Sequence, residues 1–184
     1  MTEPQNHQRL PGDPSPEEQV ARMLRVDHAG EYGAVRIYEG QLAVLGDTPA
    51  GEVIRRMAEQ ERRHLETFDR LLPERRVRPT AMAPLWHAAG FALGAATALL
   101  GERAAMACTV AVEEVIDEHY AAQAASLGEA EPELRQVIEE FRQDELAHRD
   151  EGLAHGATQA PGYEVLSAGI KAASRLAIWL STRV

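Results

Sequence analysis

Proline and glycine residues divide this 184-residue chain into long segments that have the composition of α-helices. Ser15 and Pro16 begin the first segment with a capping serine followed by proline, and Glu18 completes a capping box. Thr48 and Pro132 begin later segments. None of the segments alternates apolar and polar residues as a half-buried strand does. We therefore predict an all-α fold with helices over 16–45, 49–72, 102–127, 132–156 and 163–181.

The composition limits both the number of domains and the class of function. The first 15 residues are polar and include three prolines, so we expect a disordered tail over 1–15 and a single domain over 16–184. The net charge of −10 argues against nucleic acid as a partner. The one cysteine, Cys108, excludes an internal disulfide and a thiolate zinc site. We expect Cys108 to be packed as a small apolar residue.

Two pairs of residues have the spacing of metal ligands on one turn of a helix. Glu61 precedes His64 by three positions, and Glu145 precedes His148 by three positions. Residues three apart lie on the same face of a helix, with their Cβ atoms about 5–6 Å apart. One metal ion can therefore bind a carboxylate oxygen and an imidazole nitrogen from a single turn.

Two further glutamates stand level with these turns. Glu31 lies 14 residues before the end of the first helix, and Glu61 lies 13 residues after the cap of the second. A rise of about 1.5 Å per residue puts both of them about 20 Å from the turn that joins the two helices. Glu113 and Glu145 have the same two offsets in the second helical hairpin. The repeated offsets indicate an internal duplication of the hairpin.

Packing the two hairpins together gathers four carboxylates and two imidazoles in the centre of a bundle. Buried carboxylates are very costly without cations, and two divalent ions would balance the four negative charges. This arrangement is the signature of ferritin-like di-iron and di-manganese carboxylate bundles, and its ligands favour iron or manganese over structural zinc. The alternative, a set of ordinary surface glutamates, leaves the matched heights unexplained. The predicted ligands are Glu31, Glu61, His64, Glu113, Glu145 and His148.

Seven strings of this sequence are distinctive enough to compare with known families. They are RVDHAGEYGA at 25–34, RIY at 36–38, VRPT at 77–80, PLW at 84–86, GFALG at 90–94, ACTVAVEE at 107–114 and DELAH at 144–148. The strings resemble the demethoxyubiquinone hydroxylase family of ubiquinone biosynthesis, and the resemblance extends from about residue 22 to the C-terminus. Together with the helix pattern it predicts a ferritin-like four-helix bundle with a di-iron core, an apolar interfacial helix and a C-terminal amphipathic helix.

The resemblance implies a di-iron monooxygenase that uses O2 as its co-substrate. Its substrate would be demethoxyubiquinol, a polyprenylated methoxy-methyl-benzoquinol, which is hydroxylated on the ring late in ubiquinone biosynthesis. By this resemblance each chain holds two iron ions, which are Fe2+ in the reduced state. Glu31 and Glu113 would be terminal ligands of the two ions, Glu61 and Glu145 would bridge them, and the two histidines would supply one nitrogen each.

Three other classes of protein share part of this pattern. A ferritin-like protein that oxidises or stores iron would form a shell-like oligomer and would need no long apolar segment. A di-manganese catalase-type protein would use the same ligands without access for a lipid. A metal-free helical scaffold would bind no iron. A count of iron per chain, combined with the mass of the quinol product, separates these alternatives.

Two residues near the predicted ligands are candidates for supporting roles. Tyr120 lies seven residues after Glu113 and so returns to the metal-facing side of its helix, where it would contact the substrate or relay electrons. A plain core tyrosine is the alternative. Metal-binding histidines usually donate their second N–H to a carboxylate, and we hypothesise that Asp144 orients one of the two histidines in this way. A surface aspartate is the alternative.

Three other polar residues fall close to the predicted ligands without an assigned role. Asp117 stands where the resemblance leads us to expect a small or neutral residue, and it is either an extra acceptor or exposed. His28 precedes Glu31 by three positions, and we expect it to support the site or the fold rather than to bind metal. His119 lies one step off the metal-facing side, and we expect it to be polar or exposed.

The segment Ala81–Gly101 contains 21 residues and none that is acidic, lysine or arginine. Too few of its residues are strongly apolar for a stable membrane span, since each contributes only about −0.3 to −0.6 kcal/mol. We expect a helix that lies in the membrane interface, with Arg75, Arg76 and Arg78 near anionic headgroups. A buried core helix is the alternative.

The same considerations predict where the protein acts and with what it associates. A polyprenyl tail resides in the bilayer, so we expect peripheral contact with the membrane. The resemblance and the lack of a mitochondrial-type presequence suggest a bacterial protein on the cytoplasmic face of the inner cell membrane. A lipid-presenting protein or another protein of ubiquinone biosynthesis would be its partner.

Three glycines lie inside the first predicted helix, at Gly30, Gly33 and Gly40. Each weakens a helix by about 1 kcal/mol relative to alanine. We therefore expect another helix to pack closely against the first one at these positions.

Overall fold

The computed structural model describes residues 12–184, which form six α-helices and one short 3-10 helix without a β-strand. The prediction of an all-α fold is confirmed. Residues 1–11 of the predicted tail lie outside the described residues. The elements are α1 Pro16–Leu45, α2 Pro49–Glu74, α3 Ala83–Leu99, α4 Glu102–Leu127, α5 Pro132–Ala154 and α6 Tyr163–Ser181, with the 3-10 helix Ala157–Gln159 between α5 and α6.

Capping residues account for the starts of the first two helices. The Ser15 hydroxyl accepts a hydrogen bond from the Glu18 amide at 3.1 Å, and the Glu18 carboxylate accepts one from the Ser15 amide at 2.6 Å. This is the capping box that the sequence predicts. Thr48 caps α2 by accepting a hydrogen bond from the Gly51 amide at 3.3 Å.

Two helices end at positions other than those predicted. α2 continues to Glu74 rather than stopping at 72, so Pro73 lies inside its last turn. α5 ends at Ala154 rather than near 156. Gly156 has φ 80°, a left-handed conformation that closes the helix and leads into the 3-10 turn.

The helices form a bundle of two hairpins with one additional helix on each. α1 packs against α2, α4 packs against α5, and α2 also contacts α5. α3 packs on α1, and α6 packs on α4. Along the helices, the candidate ligands lie between two apolar clusters. One cluster contains Ile54 and Met106, and the other contains Phe68 and Ile138. The polar centre is therefore a layer within an apolar core.

The close contact between α1 and α3 depends on some of the predicted glycines but not on others. A side chain at Gly40 would overlap the Phe91 carbonyl, and one at Gly94 would overlap the Ile37 carbonyl. The prediction of close packing is thus correct for Gly40. At Gly33 the helices also approach, since a Cβ atom on Gly90 would lie 2.9 Å from the Gly33 carbonyl oxygen, although a Cβ atom on Gly33 itself would face open space. The prediction is wrong for Gly30, where a Cβ atom would meet nothing within 4 Å.

The apolar segment forms α3, but it is not a buried core helix. Leu85, Leu99 and Leu100 are exposed, and the buried residues of α3 are small or polar. No helix within residues 12–184 has both the length and the apolar character needed to cross a bilayer. Arg75, which we expect near anionic headgroups, forms two hydrogen bonds of 3.0 and 2.9 Å with the Glu131 carboxylate.

Candidate metal centre

Four glutamates and two histidines from α1, α2, α4 and α5 meet at one level in the centre of the bundle, and all six are buried. They form two overlapping groups in which the possible ligand atoms lie within 4.8 Å of one another. The groups are Glu31, Glu61, His64 and Glu145, and Glu61, Glu113, Glu145 and His148. The structure thus brings together every residue that the sequence analysis predicts as a ligand, with Glu61 and Glu145 shared by both groups.

The atoms that face the centre of this cluster have no hydrogen-bond partner among the described residues. His64 Nδ1 lies 3.2 Å from Glu145 Oε1 and 3.5 Å from Glu31 Oε2. His148 Nδ1 lies 2.9 Å from Glu61 Oε1. None of these contacts has hydrogen-bond geometry, and both oxygens of Glu61 and of Glu145 are also unpaired. Buried polar atoms nearly always have partners, so this donor set fits metal cations.

Burial and mutual repulsion make the negative charge of this cluster costly. Burial, followed by repulsion from Glu145, raises the pKa of Glu61 and the pKa of Glu113 well above the ordinary value for glutamate. Burial also raises the pKa of Glu145. A centre that carries four carboxylates therefore requires positive charge, and two divalent ions would supply it.

The histidine rings respond to the same negative field. Burial alone lowers the pKa of His64, but the Glu145 and Glu31 carboxylates raise it to about 12. Burial alone also lowers the pKa of His148, but the neighbouring Glu61 carboxylate outweighs burial and raises that pKa above its ordinary value. Each imidazole thus lies where positive charge is strongly favoured.

Two buried tyrosines donate hydrogen bonds to the two glutamates that the groups do not share. The Tyr120 hydroxyl donates to Glu31 Oε1, and the Tyr38 hydroxyl donates to Glu113 Oε1 at 2.7 Å. Tyr120 therefore lies in the core and also contacts the candidate centre. Tyr38 has no role predicted from the sequence, although it follows Glu31 by seven residues just as Tyr120 follows Glu113.

Each histidine directs its second ring nitrogen to a side chain on the other helix of the α2–α5 pair. His64 Nε2 lies 3.0 Å from Asp144 Oδ2, the contact that the sequence analysis hypothesises for one of the histidines. His148 Nε2 lies 3.1 Å from Gln60 Oε1. The sequence analysis missed Gln60, and the available signal was its position directly before Glu61, which matches that of Asp144 before Glu145.

The structure also places two of the polar residues whose roles the sequence left open. Asp117 Oδ1 accepts a hydrogen bond from Arg142 Nε at 2.6 Å, so Asp117 belongs to a half-exposed ion pair between α4 and α5. His28 Nε2 lies 3.0 Å from Asp69 Oδ1, which links α1 to α2. These contacts tie helices together and involve none of the six candidate ligands.

His119 is half-buried in a polar network that joins α1 to α4. Its Nε2 atom lies 3.4 Å from Asp27 Oδ1, and the Gln123 amide donates a hydrogen bond to the same oxygen at 2.6 Å. Asp27 is buried, and this burial raises its pKa. Because Asp27 lies four residues before Glu31, the network stands one helical turn from the candidate ligands.

A cavity of about 160 Å³ lies between α1, α3, α4 and α6, and its walls are almost entirely apolar. Gly30 and Gly33 form part of the α1 wall, where the lack of side chains leaves the space open. Gly30 and Val112 immediately precede Glu31 and Glu113 in the sequence, so the cavity adjoins both helices at the level of the carboxylates. No pattern in the sequence predicts this cavity.

Comparison with known families identifies the family to which the chain belongs. Residues 18–181 match the family described as ubiquinone biosynthesis protein COQ7. The chain belongs to the COQ7 family. The matched range contains all six candidate ligands and reaches from α1 to the end of α6. Membership in the COQ7 family confirms the resemblance that the sequence strings indicate.

Individual relatives are similar to this chain over most of their length. The 3-demethoxyubiquinol 3-hydroxylase of Rhodospirillum rubrum is 62% identical over 177 residues, which cover 96% of this chain and 84% of that protein. The mitochondrial NADPH-dependent 3-demethoxyubiquinone 3-hydroxylase of Homo sapiens is 56% identical over 90% of this chain and 78% of its own. The mitochondrial 5-demethoxyubiquinone hydroxylase of Saccharomyces cerevisiae is 42% identical over 89% and 77%.

Proposed function

We propose that this chain is a 3-demethoxyubiquinol 3-hydroxylase, a di-iron monooxygenase that acts late in ubiquinone biosynthesis. The observation that carries the proposal is the cluster of six buried ligand-type side chains with unpaired atoms facing one another. Membership in the COQ7 family and the names of its relatives support the substrate class. The alternatives of iron storage and of a manganese catalase explain neither the family match nor the apolar cavity.

The six side chains would hold two iron ions, with Fe2+ as the reduced state. Glu31 and Glu113 would each bind one ion, and Glu61 and Glu145 would bridge the pair, because these two belong to both groups of ligand atoms. His64 and His148 would bind through Nδ1, the nitrogen that faces the carboxylates. When bound, the metal pair supplies two-electron activation of O2.

The surrounding side chains would fix the orientation of these ligands. Tyr120 and Tyr38 each donate a hydrogen bond to a carboxylate oxygen, which leaves the other oxygen of that carboxylate free to face the centre. Asp144 would fix the His64 ring by accepting its second N–H. Tyr120 would also contact the substrate ring or relay electrons, since its hydroxyl reaches Glu31.

The apolar cavity would receive the polyprenyl tail of the substrate. Its walls come from α3 and α6 on one side and from α1 and α4 on the other, so a tail could enter between the outer helices and the bundle. The quinol ring would then lie toward Glu31 and Glu113, because the residues that precede them line the cavity. An apolar wall excludes water from the path of the tail.

A combined iron count and product analysis tests this function. The purified protein is loaded with Fe2+ without oxygen, its iron content is measured, and it is then given a demethoxyubiquinol and isotopically labelled O2, with and without NADPH. We expect a product with one added oxygen atom that carries the label. Protein that holds two irons per chain but yields no oxygenated quinol would overturn the proposed reaction.

The outer surfaces of α3 and α6 would rest on a membrane. Both helices expose large apolar side chains: Leu85, Phe91 and Leu99 on α3, and Leu176 and Trp179 on α6. Large contiguous apolar patches are rare on monomeric soluble proteins, and where they occur they mark surfaces that contact a membrane or a protein. Peripheral contact of this kind would bring a substrate with a bilayer-resident tail to the cavity between the same helices.

Flotation with lipid vesicles tests this contact. We expect the protein to float with vesicles of phosphatidylethanolamine and phosphatidylglycerol, and we expect Leu85→Asp combined with Leu176→Asp to abolish flotation. Leu153→Asp on α5 is the matched control, because Leu153 is also exposed but lies outside α3 and α6. Wild-type protein that stays with the soluble fraction would contradict membrane contact.

The substrate class and a bacterial relative support a proposed place of action. A bacterial relative, that of Rhodospirillum rubrum, is highly similar to this chain. The protein would act as a peripheral protein on the cytoplasmic face of the inner cell membrane. A lipid-presenting protein, or another protein of ubiquinone biosynthesis, would deliver the quinol to the exposed surface of α3 and α6.

A further inference from the structure

The two histidines of the candidate centre differ in the charge of the groups that accept their second N–H. His64 Nε2 contacts the Asp144 carboxylate at 3.0 Å, whereas His148 Nε2 contacts the Gln60 amide oxygen at 3.1 Å. With Nδ1 directed at the carboxylates, Nε2 carries the proton and donates it in both pairs. One imidazole therefore donates to an anion and the other to a neutral amide.

The other hydrogen bonds to the six residues do not distinguish the two halves of the centre. Glu31 accepts a bond from Tyr120, and Glu113 accepts one from Tyr38. Gln60 and Asp144 also stand at equivalent places, since each directly precedes the glutamate of its own Glu-x-x-His turn. The principal difference in hydrogen bonding between the two halves is thus the residue type at positions 60 and 144, glutamine in one half and aspartate in the other.

A carboxylate acceptor changes an imidazole more than an amide acceptor does. Hydrogen bonds to an ionised group are roughly twice as strong as those between neutral groups. Stronger donation from Nε2 makes Nδ1 a more basic ligand, and such partners typically change metal affinity by about 10–100-fold. Both partners are half-buried, so the surrounding water only partly screens the difference.

We infer that Asp144 and Gln60 make the two metal positions inequivalent, and that Gln60 is a positioning residue that sets the weaker one. The ion held through His64 is bound by the more electron-donating imidazole, and the ion held through His148 by the less donating one. This inference rests on the proposed function only in that the six residues hold two ions; it does not depend on the substrate.

Mössbauer spectra of the anaerobic di-ferrous protein test the inference without measuring activity. We expect two distinct iron signals in the wild type. Gln60→Glu supplies a carboxylate to both histidines, and Asp144→Asn supplies an amide to both, so each variant should bring the two signals closer together. Anaerobic titration of the apoprotein with Fe2+ should show that Asp144→Asn weakens the tighter binding step by roughly 10–100-fold.

The control variant is Gln143→Glu, which adds the same charge one residue before Asp144 on an exposed site of α5. It should leave both signals in place. If the wild type holds two irons per chain but neither Gln60→Glu nor Asp144→Asn brings the two Mössbauer signals closer together, the inference is overturned. The proposed function then stays intact. Failure to bind two irons in the wild type would instead count against the proposed function itself.

Discussion

Tyr38 on α1 donates a hydrogen bond of 2.7 Å to Glu113 on α4, in the buried centre of the bundle. Its counterpart runs in the opposite direction, from Tyr120 on α4 to Glu31 on α1. Each tyrosine follows the glutamate of its own helix by seven residues and crosses to the glutamate of the other helix. The two bonds fix α1 and α4 in register at the level of the candidate ligands.

Tyr38→Phe removes one of these bonds without changing the shape of the core. The Glu113 carboxyl would lose its donor in a fully buried site, so we expect the free energy of unfolding of the metal-free protein to fall by about 1–3 kcal/mol. Urea unfolding measures this change. Tyr163→Phe is the control, because Tyr163 is half-buried at the start of α6. This variant should lower the free energy of unfolding by less than half as much as Tyr38→Phe does. Equal losses in the two variants would contradict the structural role of Tyr38.

The glycines of α1 and α3 should respond in opposite directions to the same substitution. Gly33→Ala places a Cβ atom in open space within a helix, so we expect it to stabilise the protein by about 0.5–1 kcal/mol. Gly94→Ala places one against the Ile37 carbonyl oxygen, so we expect a loss of about 1–3 kcal/mol. Thermal unfolding of both variants checks this, and a stabilising Gly94→Ala would contradict the close α1–α3 contact.

A larger side chain at Gly33 should fill the cavity that we assign to the polyprenyl tail. Gly33→Leu should raise the KM for a long-tailed demethoxyubiquinol at least tenfold, because the side chain would occupy the volume between α1 and α3. The kcat for a short-tailed analogue should change little, since the ligands are untouched. Steady-state kinetics with the two substrates checks this prediction. Equal effects on both substrates would mean that the tail lies elsewhere.

The Cys108 thiol should be unreactive in the folded protein. Cys108 is fully buried in the core, and this burial raises the pKa of its thiol to about 12. In the unfolded chain the pKa of the thiol returns to about 8.5, so a substantial share of the chains carry an ionised thiol at pH 8. We expect a thiol-reactive dye to label the urea-unfolded protein within minutes and the native protein at least a hundredfold more slowly. Rapid labelling of the native protein would contradict the packed position of Cys108.

Much of this architecture is accessible from the sequence because its signals are local. Proline, serine and threonine mark the helix starts, and equal offsets of Glu31 and Glu61 from one turn place them level with each other. The Glu-x-x-His spacing identifies the ligand turns without any knowledge of packing. Once the helices are assigned from the sequence, little further information is needed to place these residues.

The remaining features depend on which helix faces which, and this is set by tertiary packing. Gln60 could not be assigned to His148, because that contact joins α2 to α5 across 88 positions in the sequence. Gly30, Gly33 and Gly40 all lie inside α1, yet of these three a Cβ atom would overlap α3 at Gly40 alone, whereas the positions of Gly30 and Gly33 face a cavity. The crossing of α3 over α1 decides this, and no local pattern encodes it.

Iron stoichiometry tests the central claim most directly. After anaerobic loading with Fe2+ and removal of excess metal, the wild type should retain two irons per chain. The double variant Glu61→Ala and Glu145→Ala should retain none, because both residues belong to both groups of ligand atoms. The matched double variant Glu59→Ala and Glu140→Ala, at exposed positions on the same two helices, should keep both irons. A wild type that retains no iron, or a Glu61 and Glu145 variant that keeps two, would contradict the account.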